Sequence, residues 1–147
     1  MHEDFIEEHG VECLVRFCVE DNLMQRLMAT DALQLMIPIL TTINKSKPKK
    51  DLIVKALLSH LYLRNIKENM PLITKTIQSF LRLAIDETYK KHIWDCRVPH
   101  RILAVWDKLP PRIQCLGLDL IAIFTHKPKM VQYLNTLKFC KRMVRTG

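Results

Sequence analysis

Three side chains that bind metals or protons recur at four-residue intervals in one part of the chain: His92, Cys96 and His100. On an unbroken helix, residues at this spacing share a face, and imidazole and thiolate are ligands that zinc prefers. Zinc takes four ligands, or three with an open position, yet Pro99 breaks the helix before the third candidate, and no fourth ligand is near in sequence. We therefore expect no metal, no cofactor, and structural roles for these residues.

The same segment contains a cysteine and a histidine, the pair that a cysteine nucleophile requires. The nearest orienting acid, Asp95, is adjacent to Cys96 and so projects from a different side of the helix. With three glycines, the chain has little material for the turns that carry nucleophiles or phosphates. Asp107 and Asp119 show no paired-carboxylate spacing. The sequence therefore predicts no catalytic residues, and a protein that is not an enzyme.

Cationic side chains are the remaining candidates for function. The 147 residues carry a net charge of +8, but residues 1–44 hold eight acids and two bases, whereas residues 45–147 hold 21 bases and seven acids. A basic region of this size is typical of binding to nucleic acid or another polyanion. The same asymmetry fits an elongated body with an acidic end and a basic end that docks against neighbouring proteins. Both interpretations stay open at this point.

Four of the cations share one face of the last predicted helix, at i, i+3, i+4 and i+7: Lys138, Lys141, Arg142 and Arg145. They lie opposite the apolar stripe of the same helix. This basic face is a secondary candidate for binding, and a solvated surface explains it equally well.

Helical periodicity runs through nearly the whole chain, and strand alternation is absent. Proline and capping residues divide the chain into about eight helices, mostly of about 9–20 residues, joined by short connections. The clearest helix starts are Pro48, Asn69-Met70-Pro71, Asp86-Glu87-Thr88, Val98-Pro99, Pro110-Pro111 and His126-Lys127-Pro128. No low-complexity linker separates these elements. The sequence therefore predicts an all-α fold and one domain, residues 1–147.

The segment 23–42 is too apolar for an ordinary surface helix. Its methionines repeat at helical spacing, which favours positions in the core: Met24, Met28 and Met36. We expect this helix to be buried on most sides, and Pro38 to kink it or to split it in two. Trp106 belongs to another apolar stripe, and we expect it in the core rather than at a ligand.

An ungapped offset of 88 residues aligns the two ends of the chain. The offset places Leu14 on Ile102, Cys18 on Trp106, Ala29 on Gly117 and Asp31 on Asp119. We expect the small residues Ala29 and Gly117 to lie where helices cross closely. The offset is about twice the period of armadillo and HEAT repeats. The alternative is a set of unrelated helices in one compact bundle.

Two stretches resemble the armadillo family. Residues 6–15, Ile-Glu-Glu-His-Gly-Val-Glu-Cys-Leu-Val, are similar to the armadillo junction, and residues 29–33, Ala-Thr-Asp-Ala-Leu, are similar to its second-helix core. The middle repeat lacks the Gly before its last helix, Val98-Pro99 replaces Gly at another junction, and no Asn ladder is present. The resemblance covers most of the chain. It implies a short right-handed superhelical solenoid of about three armadillo-like repeats, and a binding role.

The expected function is a non-catalytic helical-repeat module that binds other proteins, as a scaffold or as a subunit of a larger assembly. Under the armadillo-like alignment, the helices that begin at Pro71 and Pro99 line a concave, partly basic face. The partner-binding residues are then Lys75, Gln78, Arg82, Arg101 and Lys108. The partner is an extended or helical segment with acidic residues. Binding of RNA, DNA or an acidic protein tail by the basic C-terminal two-thirds is the alternative.

The compartment is predicted from three observations. The longest uncharged stretch, residues 32–44, is 13 residues long, too short to cross a bilayer. The first 12 residues hold five acids and no apolar core of a signal peptide. The five cysteines are odd in number and scattered, unlike a disulfide framework. We expect a protein of the cytoplasm or nucleus with reduced thiols and no membrane insertion. We also expect the chain to belong to a longer array or to be completed by neighbours.

Overall fold

A computed structural model describes residues 10–20, 22–41 and 47–137, and all regular structure in these ranges is helical. The prediction of an all-helical chain with about eight helices is confirmed for these residues. The α-helices are α1 (Gly10–Cys18), α2 (Leu23–Leu40), α3 (Lys47–Ser59), α4 (Met70–Leu83), α5 (Glu87–Asp95), α6 (Val98–Ala104), α7 (Pro111–Ile123) and α8 (Pro128–Thr136). Short 3₁₀ helices follow α3 (His60–Tyr62), precede α4 (Lys67–Asn69) and follow α6 (Trp106–Lys108).

Helix starts follow the capping and proline signals of the sequence. The Asn22 side chain accepts a hydrogen bond from the backbone N–H of Gln25 at 3.2 Å, and Asp86 accepts one from that of Tyr89 at 3.0 Å. These contacts satisfy donors that the first turn of a helix leaves unpaired. The other helices α4, α6, α7 and α8 each have proline in the first turn, where no donor is needed.

Of the two alternatives predicted for Pro38, the split of α2 is not found, and α2 differs from its prediction in its burial as well. It continues past Pro38 to Leu40, because this proline lies in the last turn and removes one hydrogen bond near the helix end. It is also not buried on most sides, since Met24 and Met28 are 64% and 65% exposed. The predicted core position is confirmed for Met36, and the packed side of α2 consists of Ala29, Leu33, Met36, Ile37 and Leu40. Helix α2 therefore has two apolar sides, of which one packs in the core.

The helices pack in two rows. In one row α2 contacts α4, and α4 contacts α7. In the other row α1 contacts α3, and α3 contacts α5. The rows are joined because α1 packs on α2, α3 on α4, and α6 on both α5 and α7. The core between them is aliphatic and aromatic, with Phe80, Tyr89, Trp106 and Phe124 as its largest fully buried side chains. None of the described helices is long and apolar enough to cross a lipid bilayer.

At two helix connections, α1–α2 and α6–α7, a side chain donates hydrogen bonds to backbone carbonyls, and the two donor residues are 88 positions apart. Arg26 on α2 donates from Nε to the carbonyl of Glu20, and from Nη2 to that of Val19 at 3.1 Å. Gln114 on α7 donates from Nε2 to the carbonyl of Trp106 at 3.0 Å. In both pairs, a side chain of the second helix therefore satisfies carbonyls that follow the first helix.

Gly117 on α7 lies under the indole ring of Trp106. A Cβ atom at this position would come within 3.0 Å of the Trp106 ring and 3.1 Å of the Ile102 side chain. Glycine therefore permits the close approach of α7 to the end of α6. Ala29, its counterpart 88 residues earlier, is also buried, and it lies on α2, which packs on α1.

A buried histidine ties α1, the end of α3 and α4 together. His60 lies with Nε2 2.8 Å from the carbonyl oxygen of Cys18 and with Nδ1 2.9 Å from Oγ1 of Thr76. A carbonyl can only accept, so Nε2 carries the proton and donates, and Nδ1 accepts from the Thr76 hydroxyl. Burial lowers the pKa of His60 from 6.5 to about 4. The ring is therefore neutral at neutral pH.

An aromatic cluster holds the C-terminal end of the described chain. The Trp94 ring stacks on Phe124 with centroids 5.5 Å apart, and the His100 ring lies 5.2 Å from Trp94 and 4.8 Å from Tyr133. Trp94 lies on α5, His100 on α6 and Tyr133 on α8, and Phe124 directly follows α7. Between α5 and α6 the backbone turns through Arg97, a non-glycine residue with φ of 62° in the left-handed region.

Candidate functional site

A groove of about 430 Å³ lies between the C-terminal half of α2 and the end of α4. Its volume is within the range of pockets that hold ligands, roughly 300–1,000 Å³. It is lined by Gln34, Leu35, Ile37, Pro38, Thr41, Arg82 and Ile85. We call it the α2–α4 groove. Most of its lining is aliphatic, and Arg82 provides its cation.

Three of the residues predicted to bind a partner lie along this side of α4. Lys75 forms an ion pair with Asp31 of α2. One turn later, Gln78 accepts a hydrogen bond from Gln34 of α2 at 3.5 Å. Arg82, a further turn along, lines the groove. Lys75 and Gln78 on α4 are three residues apart, like their partners Asp31 and Gln34 on α2. The two helices are therefore joined by polar pairs at these positions, and the groove lies one turn further along α4.

The groove combines an unpaired cation with exposed aliphatic side chains. Arg82 is exposed, and no carboxylate among the described residues forms an ion pair with it. Leu35 is 79% exposed and Ile85 is 83% exposed. Large aliphatic side chains that are so exposed, next to a free cation, are typical of surfaces that bind another molecule.

The other two predicted residues lie elsewhere in the fold. Arg101 on α6 donates from Nε to the carbonyl of Leu61 at 3.0 Å, and its guanidinium lies 3.9 Å from the ring centre of Tyr62. Arg101 thus connects α6 to the end of α3. Lys108 is exposed on the 3₁₀ helix that follows α6. The structure therefore brings Lys75, Gln78 and Arg82 together, whereas Arg101 is already bound at another place.

The predicted basic face of the last helix lies outside the described residues, which end at residue 137. This holds for all four of its members: Lys138, Lys141, Arg142 and Arg145. The face remains a prediction of the sequence.

His92 and Cys96 lie beside an acid that the sequence analysis did not consider. Cys96 Sγ is 3.8 Å from Oδ1 of Asp51, and His92 Nδ1 is 4.0 Å from the same oxygen. Burial, followed by the charge of Asp51, raises the pKa of the Cys96 thiol. The protonated thiol is a weak nucleophile. His100 instead packs in the aromatic cluster, and the described residues contain no group of three potential ligands placed to hold a metal ion.

A second groove, of about 340 Å³, lies between α1 and α2. It is lined by Leu14, Phe17, Gln25, Met28, Ala29 and Ala32. The core position predicted for Met28 is wrong, and a groove beside Met28 does not follow from that prediction. The available signal was the second apolar stripe of α2, since Met24, Met28 and Leu35 are spaced by four and seven residues and share a face.

Comparison of the chain with protein-family models, with curated proteins and with solved structures gave no match. The functional interpretation therefore rests on the described geometry. Its main elements are the α2–α4 groove, the unpaired Arg82 and the exposed apolar side of α2.

Proposed function

We propose that this protein is a non-catalytic helical-repeat module that binds a segment of another protein in the α2–α4 groove, as a scaffold or as a subunit of a larger assembly. The observation that carries the proposal is the combination in one groove of Arg82, which has no described carboxylate partner, with the exposed side chains of Leu35 and Ile85. Such a surface recognises aliphatic side chains by burial and an acidic side chain by charge.

The repeat architecture is part of the proposal. Three successive units are α1 with α2, α3 with α4, and α5–α6 with α7. The contacts of α2 with α4 and of α4 with α7 support stacking of the second helices, which would line the concave side of a short solenoid. Arg26 and Gln114, which are 88 residues apart, each donate to a carbonyl between the two helices of their pair, and this supports a common origin of the first and last units.

The geometry of Cys96, His92 and Asp51 supports a binding role without catalysis. The thiol has a raised pKa, and Asp51 is 2.9 Å from Lys55, to which it is ion-paired. Asp51 Oδ1 is 4.0 Å from the histidine nitrogen, a separation longer than a hydrogen bond. This arrangement is better explained as packing between α3 and α5.

The experiment is affinity capture with the full chain from its native source, followed by measurement of the affinity of the captured partner. Arg82→Glu should weaken binding at least about tenfold, because it places a like charge opposite the partner's acid. Arg64→Glu reverses another exposed cation, outside the groove, and should change the affinity less than about twofold. Both variants should keep the helical circular dichroism spectrum of the parent chain.

Two results would contradict the proposal. If binding survives Arg82→Glu and fails when Lys141 and Arg142 are reversed, the last helix is the binding surface. If the affinity falls by orders of magnitude between about 50 and 200 mM salt for RNA or DNA, the polyanion alternative is correct.

A further inference from the structure

The side of α2 that faces away from the core carries three exposed apolar side chains in line: Met24, Met28 and Leu35. We call them the methionine stripe. Its two ends are 11 residues apart, about 16 Å along a helix. Among the described residues, one charged side chain, Asp31, shares this face, and Lys75 pairs with it. The stripe is therefore an apolar and nearly neutral strip, about three helical turns long.

The methionine stripe is flanked by a groove on each side. The α1–α2 groove includes Met28 in its lining, and the α2–α4 groove includes Leu35. Phe17, which is 49% exposed, borders the first groove, and Ile85 borders the second. The two grooves and the stripe thus form one ridged apolar surface centred on α2. Methionine side chains are flexible and polarisable, so they adapt to the shape of a partner.

The chemistry of this surface favours a helical partner over an extended one. An extended segment presents an unpaired N–H and C=O at almost every residue, and burying them against apolar side chains without hydrogen bonds is costly. The stripe offers aliphatic carbon and thioether sulfur, and the α2 backbone is already paired within its helix. A helical segment satisfies its own backbone and can therefore bury its apolar side here.

Charge sets the direction in which such a helix lies. Arg82 is at the end of the stripe near Leu35, whereas Asp31 in the middle is neutralised by Lys75. Arg82 thus provides a cation, without an ion pair among the described residues, at the Leu35 end of the stripe. A carboxylate on the partner would bind there, and the reversed orientation would leave it over apolar surface.

We propose that the methionine stripe and its flanking grooves bind an amphipathic helix of a partner protein, about three to four turns long. The helix presents aliphatic side chains to Met24, Met28 and Leu35, and it carries a carboxylate at the end that lies beside Arg82. This inference rests on the proposed function, because it specifies the segment that the module binds.

The experiment is a selection on the full chain from two peptide libraries of equal length. One library has a helical 14-residue scaffold with randomised faces, and the other has a proline at its centre, which prevents a continuous helix. The helical library should yield binders with aliphatic residues at i, i+4 and i+7 or i+8, and with an acid near one end. Their affinities are then measured by fluorescence polarisation.

Substitutions in the chain and in the peptide test the contacts. Leu35→Asp should weaken the selected peptides at least about tenfold, since it places a charge on the apolar stripe. Val131→Asp, at an exposed apolar residue of α8, is the matched control and should leave the affinity within about twofold. Arg82→Glu should weaken the acidic peptide about tenfold, and a lysine in place of its acid should restore binding to that variant.

Three outcomes would overturn the inference. They are selection of binders from the proline library alone, binding that is insensitive to Leu35→Asp, and concentration-dependent self-association that Leu35→Asp abolishes. The last result would identify a second copy of the chain as the occupant. If a native partner binds through Arg82 but its bound segment is extended, this inference fails and the proposed function stands. If neither peptides nor native partners depend on Arg82, both fail.

Discussion

The pairs α1–α2 and α6–α7, which the 88-residue offset aligns, are held together by different interactions. The N-terminal pair carries several polar contacts: Cys18 Sγ lies 3.9 Å from Thr30 Oγ1, and Arg26 and His60 donate to the carbonyls that end α1. The C-terminal pair carries the bond from Gln114 to the Trp106 carbonyl. At the C-terminal pair, the Trp106 ring packs on Gly117. The two aligned helix pairs thus differ in the side chains that join them, with a buried thiol at residue 18 and a buried indole at residue 106. We call them the polar junction and the aromatic junction.

The outward sides of α2 and α7 differ as well. Leu35 is exposed, whereas its counterpart on α7, Ile123, is half-buried and packs against the core. Met28 and its counterpart Leu116 show the same difference. The inward sides agree, since Ala29 and Gly117 are both buried. Packing therefore constrains one side of each helix, and of these two helices α2 has the more exposed apolar side.

The largest effect is expected from truncating the aromatic junction. Trp106→Ala should lower the free energy of unfolding by about 3–5 kcal/mol, because it leaves a large cavity over Gly117. The equivalent substitution at the polar junction, Cys18→Ala, removes one sulfur atom and should cost about 1 kcal/mol. Urea denaturation of both variants measures the difference. Equal decreases in the free energy of unfolding for the two variants would contradict the difference between the two junctions.

Acid should act on the polar junction through His60. The folded pKa is about 4 and the ordinary value is 6.5, so between these values the unfolded chain binds a proton that the folded chain does not. Stability is therefore fully present above pH 6.5 and falls by about 3 kcal/mol as the pH decreases to 4. Denaturation at several pH values in this window tests the prediction.

The control for this prediction is His60→Gln, which removes the titration and should flatten the pH dependence. Some dependence should remain, because burial and the charge of Arg97 also lower the pKa of His100. If His60→Gln has the same profile as the parent chain, His60 does not carry the acid sensitivity.

The smallest changes in stability are expected from substitutions at the two aligned small residues, Gly117 and Ala29. Gly117→Leu should destabilise the protein by about 1–3 kcal/mol through overpacking against Trp106 and Ile102. Ala29→Leu should cost less than about 1 kcal/mol, because Ala29 lines the open α1–α2 groove and a larger side chain can extend into it. Thermal denaturation compares the two. An unchanged melting temperature for Gly117→Leu would count against a close crossing at that residue.

Much of the fold could be predicted from local signals. Pro71, Pro99, Pro111 and Pro128 mark helix starts within one residue, because proline in the first turn is a backbone constraint that tertiary packing does not alter. The apolar pattern of α2 was less informative. Apolar residues occur on both of its sides, so periodicity alone could not distinguish the side that packs in the core from the exposed side.

The candidate site was predicted in part. Lys75, Gln78 and Arg82 were found by subtracting an apolar stripe from one helix, and they do share a side of α4. Which helix packs beside them depends on contacts between residues far apart in sequence, such as Asp31 with Lys75. Sequence periodicity contains no such information. The same reason explains why Arg101 was grouped with them although it binds the carbonyl of Leu61.

The left-handed backbone at Arg97 has a consequence for how this protein can change. Glycine would adopt the same conformation with less strain, by about 1 kcal/mol. However, it would also remove a positive charge that, after burial, lowers the pKa of the neighbouring His100 in the aromatic cluster. A substitution that removes the backbone strain at Arg97, between α5 and α6, therefore also affects the pKa of His100, one turn away. Such a substitution would make the cluster easier to protonate, so Arg97 represents a compromise between conformational strain and electrostatics.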